Sequence, residues 1–87
     1  MPEFLVLSNL VASREKLQQY RDKHLSYLEE LKKKGQLSLA GRFADGTGGA
    51  YILKAENINE AKDIADRDPY HSTGLRNYTI KEWERRF

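Results

Sequence analysis

Apolar residues crowd Phe4-Leu5-Val6-Leu7 near the start of the chain, and residues 3–10 read as a buried β-strand. The period then changes. Leu17, Arg21, His24, Leu28 and Leu31 follow one another at spacings of four and three, which on an α-helix sets them along one stripe. Ser13 is suited to cap the start of that helix, which runs to about Lys34 before Gly35 stops it. Leu37, Leu39 and Phe43 alternate on a second strand, Asp45-Gly46-Thr47-Gly48-Gly49 signals a turn, and residues 50–54 return as a third strand, so this pair predicts a hairpin. Asn57 or Asn59 caps a second helix carrying Ile58, Ala61, Ile64 and Ala65 on one side. It ends near Asp66-Arg67, because the residue before Pro69 disfavours helical geometry. Beyond a loop containing Gly74, residues 75–83 alternate as a last strand.

The order is β-α-β-β-α-β, an α+β pattern whose simplest packing is a four-stranded antiparallel sheet with two helices on one face. Residues 1–87 form a single domain, with no internal repeat, linker or low-complexity stretch. Tyr51, Leu53, Tyr78, Ile80 and Trp83 supply more apolar strand surface than one sheet face needs. A second copy of the chain is therefore expected on the uncovered face.

Charge excludes one class of partner. The 15 basic and 13 acidic residues leave a net charge of +2, too balanced for a committed nucleic-acid binder. The basic clusters at residues 32–34 and 85–86 are interrupted by Glu29, Glu30, Glu82 and Glu84. The strand order is shared with RNA recognition motifs, but Gly48-Gly49-Ala50-Tyr51-Ile52-Leu53 lacks their leading basic residue and two of their stacking aromatics. The chain has no cysteine, which removes disulfides, thiolate chemistry and zinc clusters. No spacing of His, Asp and Glu suggests a metal site. The N-terminal apolar run is too short to span a bilayer and begins with an acid rather than basic residues, so a cytoplasmic protein without membrane attachment is expected.

Against this background His24 stands out, because it occupies the centre of a stripe otherwise made for leucine. An imidazole there needs a polar partner, since burying an unpaired polar group costs roughly 1–3 kcal/mol. Asp68, in Asp68-Pro69-Tyr70 at the end of the second helix, can reach it, because the two helices lie side by side in this topology. A His–Asp pair is either a structural contact or a general acid/base device. Arg21 shares the stripe, facing inward beside His24 or snorkelling outward. Arg42 and Asp45, in the glycine-rich hairpin, are placed to line the mouth of a pocket. The hairpin is no P-loop, lacking its lysine and joining two strands. Tyr70, His71 and Ser72 read as a polar loop, with His71 exposed.

Arg21-Asp22-Lys23-His24-Leu25-Ser26-Tyr27-Leu28, Gly35, Ala40-Gly41, Asp45 with Gly48-Gly49, Ala61, and Asp68-Pro69-Tyr70 with Gly74-Leu75 together resemble the YciI-like (YCII-related domain) proteins. The resemblance runs through nearly the whole chain in order. It implies a ferredoxin-like domain that dimerises by sheet packing into a dimeric α/β barrel, with His24 and Asp68 as the active-site pair. One branch of the family is similar to enzymes that eliminate chloride from chlorinated hydroquinones, and muconolactone isomerases share the architecture. Where the family pattern has Gly-Pro, this chain has Gly41-Arg42, which puts a cation at the pocket edge.

The function expected from these observations is a cofactor-independent lyase or isomerase, of the dehydrochlorinase type or similar, acting on a small cyclic or aromatic molecule. His24 would be the general base and Asp68 its orienting partner. Arg21 or Arg42 would contact an anionic group, while Tyr27 or Tyr70 would help wall the pocket. The alternative is a non-catalytic module of the same fold that binds a small molecule or a protein partner.

Overall fold

A computed structural model describes residues 1–87 and contains β1 (Glu3–Leu10), α1 (Arg14–Lys33), β2 (Leu37–Arg42), β3 (Gly48–Lys54), α2 (Ile58–Asp66), a short α3 (Pro69–Ser72) and β4 (Arg76–Trp83). The strands form one sheet in the order β2-β3-β1-β4, every neighbouring pair antiparallel. With α1 and α2 on one face, this is a ferredoxin-like α+β arrangement. No helix is long and apolar enough to cross a membrane.

Local chemistry accounts for the helix boundaries. The Ser13 hydroxyl accepts a hydrogen bond from the Lys16 amide, satisfying one of the free N–H groups at the start of α1. Gly35 follows the helix with φ +75°, a left-handed conformation natural to glycine. Asn57 caps α2 through the Glu60 amide.

Alternation on the central strand sorts the sheet's two faces. Phe4, Val6 and Ser8 of β1 face the helices, and register places Tyr51 and Leu53 of β3 and Tyr78 and Ile80 of β4 on the same side. There Phe4, Val6 and Leu53 pack with Leu31 of α1 and Ala61, Ile64 and Ala65 of α2. Each large apolar side chain fully removed from water, such as Phe4 or Leu53, contributes about 1.5–3 kcal/mol.

Two expectations are corrected by this register. Leu37 and Leu39 do not share a face: a bulge between them turns Leu37 into the core (8% exposed) and Leu39 outward (55%). Phe43 lies beyond the end of β2. In addition, four of the five residues taken as surplus apolar surface, Tyr51, Leu53, Tyr78 and Ile80, belong to the helix-covered core, leaving only Trp83 outside it. The open face nonetheless carries apolar side chains, supplied by Leu5, Leu7, Leu39 and Ile52.

The hairpin between β2 and β3 closes through the Phe43 amide to the Gly48 carbonyl (2.8 Å). The Asp45 carboxylate accepts from the amide and hydroxyl of Thr47, which shapes the turn. Gly48 must lack a side chain, because a Cβ there would run into the Ser8 carbonyl. That close approach sets β3 against β1 beside the cavity described below.

Candidate functional site

The Asp-Pro step does more than end α2. The residue before a proline avoids helical angles, and Asp68 is extended (φ −58°, ψ 125°), so the chain leaves α2 and turns back. Pro69 then occupies the first position of α3, where its missing N–H goes unmissed. The loop expected at residues 70–72 is thus a helical turn. Asp68 caps it, its Oδ1 accepting from the Tyr70 amide at 2.9 Å.

This capping geometry directs the carboxylate into the protein, where it meets His24. Oδ1 also accepts from Nδ1 of His24 at 2.8 Å, across 44 residues of sequence, and Oδ2 accepts from the Tyr51 hydroxyl at 3.2 Å. Asp68 is 0% exposed and His24 8%. Burial alone would push the Asp68 carboxyl up, but the hydrogen bond and charge of His24, with the Tyr70 amide, hold it below the usual carboxylate range. It is therefore an ionised acceptor at neutral pH. Burial and the neighbouring carboxylate push the Tyr51 phenol up, so its hydroxyl stays protonated as a donor.

An ionised carboxylate can only accept, so Nδ1 of His24 carries a proton. The neutral ring then has its lone pair on Nε2, which has no partner within the chain and keeps contact with solvent. The imidazole is fixed in plane as well, stacked on Tyr70 with centroids 3.9 Å apart and the rings 13° from parallel.

Beside this ring lies a cavity of about 390 Å³, bounded by α1, the start of β3, the end of β2, and Tyr70 and Arg76. His24, Arg21, Arg42 and Tyr70 all line it; Asp68 lies behind His24 without lining it, and two other expected residues are elsewhere. Tyr27 faces the seam between α1 and α2, where its hydroxyl donates to the Ile64 carbonyl at 2.6 Å. Burial pushes its phenol up to about 12. The reason is angular: Tyr27 is three residues beyond His24 and lies on the flank of the stripe that α2 covers. Asp45 is exposed, its carboxylate committed to Thr47, while its carbonyl accepts from Arg14 at 3.1 Å. Arg21 is exposed at the rim and makes no ion pair.

Three residues not anticipated from the sequence also face this cavity. Tyr51 anchors Asp68 and lines the cavity. Arg14 and Arg76 line it as well. The signal for Tyr51 was available, since a tyrosine alternating with Leu53 on a buried strand face needs a partner for its hydroxyl. Arg76 carried no such signal. No group of three His, Asp or Glu side chains converges to hold a metal ion.

His71 is not the exposed side chain expected. Its Nδ1 donates to the Ala65 carbonyl at 2.7 Å, so its Nε2 accepts from the Ser8 hydroxyl, also at 2.7 Å, and the pair ties α3 to β1. Burial holds the imidazole below the usual histidine range, outweighing the Ala65 bond and the Asp68 charge, while Arg76 and His24 add to the lowering. A base with a depressed folded pKa binds fewer protons folded than unfolded. Its stabilising contribution is thus complete above the unfolded value of about 6.5 and is lost as pH falls from there through the folded one. The urea midpoint is expected to drop between pH 7.5 and 5, and less steeply in His71→Gln. Equal slopes would show that His71 does not carry this dependence.

A model of the YCII-related domain matches residues 2–84. The uncharacterized protein YjpA of Bacillus subtilis (strain 168) is 39% identical over 61 residues, covering 70% of this chain and 72% of that one. Among solved structures, 5-chloro-2-hydroxyhydroquinone dehydrochlorinase (TftG) from Burkholderia phenoliruptrix AC1100, in complex with 2,5-dihydroxybenzoquinone, superposes with a TM-score of 0.80. It shares 24% identity, with 94% of this chain and 93% of that one covered, a likeness of fold. The family match spans nearly every residue described above, and the chain belongs to the YCII-related domain family.

Proposed function

We propose that this protein is a cofactor-independent lyase or isomerase that removes a proton from a small cyclic or aromatic molecule, with Nε2 of His24 as the base. The observation that carries the reading is the anchored imidazole: Nδ1 bound to buried Asp68, the ring stacked on Tyr70, and the remaining nitrogen beside a cavity. Asp68 holds the tautomer and stabilises the imidazolium once the proton is taken. In an elimination, the electron pair left by the proton forms the new double bond as the leaving group departs with its own pair. In an isomerisation, the imidazolium returns the proton at another carbon. A dehydrochlorinase of the same fold supports the first of these. Arg21 and Arg42 would meet an anionic group at the rim, and Tyr70 forms the wall. Incubating the protein with chlorinated hydroquinones and cyclic lactones, and measuring depletion and chloride release, tests the reading. Conversion that requires His24 supports it. Ligand retained unchanged, with His24→Gln binding equally well, would make the protein a binding module instead.

The reading includes a cytoplasmic homodimer formed through the open sheet face, where Leu7 and Leu39 are exposed beside Leu5 and Trp83. Placing Leu7→Glu and Leu39→Glu together is expected to yield a folded monomer by light scattering. A wild-type chain that stays monomeric at high concentration would contradict the dimer.

A further inference from the structure

Four arginines line the cavity beside His24: Arg14 and Arg21 from α1, Arg42 from the end of β2 and Arg76 from the start of β4. No aspartate or glutamate lines it. None of the four is paired, because the salt bridges of this chain join His24 to Asp68, Lys34 to Glu30, Arg67 to Asp63 and Arg85 to Glu3. Arg14 spends one bond on the Asp45 carbonyl.

Arg76 is the most telling of them. It is half-buried, and its Nε is sealed from solvent with no hydrogen-bond partner. Its guanidinium carbon lies 4.6 Å from the centre of the Tyr70 ring, the ring that also stacks on His24. Asp68 is near enough to act on it, but both carboxylate oxygens are already held by His24, Tyr51 and the Tyr70 amide. Burial pushes the Arg76 pKa down, outweighing the upward pull of Tyr70, Asp68 and Tyr51.

Like charges gathered around one concavity repel, and low-dielectric walls focus their field toward anything that enters. Leu17, Leu25 and Leu28 line the same space, so a ligand can bury a flat apolar body there while presenting negative groups to the guanidinium forks. A single negative charge would leave most of the excess unanswered.

We propose that the cavity takes a dianionic small organic acid, its ring body against Leu25, Leu28 and Tyr70 and its carboxylates on Arg76 and on the rim arginines Arg21 and Arg42. This rests on reading the same cavity as the active site, and names the substrate class for it. Arg76 is then a specificity residue placed next to the tyrosine that steadies the base.

Phthalate, benzoate and benzyl alcohol share one ring and carry two, one and no carboxylates, and each can be titrated while the His24 ring signals are followed by NMR. Phthalate is expected to bind about tenfold or more tightly than benzoate, as a charge-assisted contact implies, with benzyl alcohol weaker again. Added salt should weaken phthalate most. Arg76→Gln and Arg42→Gln should each remove most of phthalate's advantage over benzoate and weaken benzyl alcohol least. Arg42 is exposed at a strand end, so that variant reports even if Arg76→Gln fails to fold. If all three ligands shift His24 with equal affinity, the cavity stands as a site and the dianion is wrong. If none reaches His24, both the dianion and the active-site reading fall.

Discussion

Replacing Asp68 with alanine is expected to destabilise the fold by about 3 kcal/mol or more, because three buried donors lose their acceptor at about 1–3 kcal/mol each. The side chain accepts from Nδ1 of His24, the Tyr51 hydroxyl and the Tyr70 amide, and all three donors lie in the interior. Alanine would leave each without an acceptor and would uncap α3 in the same stroke. For a domain of 87 residues, whose whole stability is of order 5–15 kcal/mol, that loss is a large fraction. Asp68→Asn separates shape from charge. Its carbonyl oxygen can still accept from His24 and Tyr70, and its amide can donate to Tyr51, whose hydroxyl is free to reverse. The asparagine variant should therefore lose only about 1 kcal/mol, the net worth of a typical hydrogen bond. Urea denaturation of the two variants checks this. Equal, small losses in both would mean that Asp68 is not the hub of the site.

The second large effect concerns rate. On a substrate that the wild type converts, His24→Gln is expected to lower turnover about 10²–10⁴-fold, the contribution usual for a positioned acid/base group. Stability should fall far less than in Asp68→Ala, because the carboxylate keeps two of its three donors and a polar side chain replaces the imidazole. Circular dichroism and the urea midpoint establish that the variant is folded. Single-turnover rates then read the chemistry without interference from product release. A folded His24→Gln protein running at the wild-type rate would remove His24 from the mechanism.

The contact between His24 and Asp68 was visible in the sequence, for identifiable reasons. A histidine on a leucine stripe is anomalous under the helical period alone, and two helices joined by a β-hairpin must lie side by side, which brings residue 68 toward residue 24. The strand order followed from the same periodicities. What stayed hidden depends on register and on tertiary approach. The bulge that turns Leu39 outward has no composition signal, and it altered which side chains make the open face apolar. Tyr27 sits three residues beyond His24, on the flank of α1 that meets α2, and its hydroxyl goes to Ile64. The turn at residues 69–72 was legible in principle, since Asp followed by Pro suits the start of a helix as well as the end of one. Reading it only as a stop left His71 in a loop, when its ring in fact closes the gap between Ser8 and Ala65. Arg76 could not have been singled out from residue type at all. It matters because β4 pairs beside β1 and delivers it to the wall that also holds Tyr70.

By accepting from Nδ1, Asp68 pins one tautomer of His24 and so leaves Nε2 with the lone pair beside the cavity. Nitrogen-15 NMR of the histidine side chains reads this directly, with His71→Gln used to assign the two rings. In the neutral state His24 should show a protonated Nδ1 and a pyridine-like Nε2, and Asp68→Ala should let the tautomers mix. A neutral His24 ring with its proton on Nε2 in the wild-type protein would mean that Asp68 does not set the tautomer.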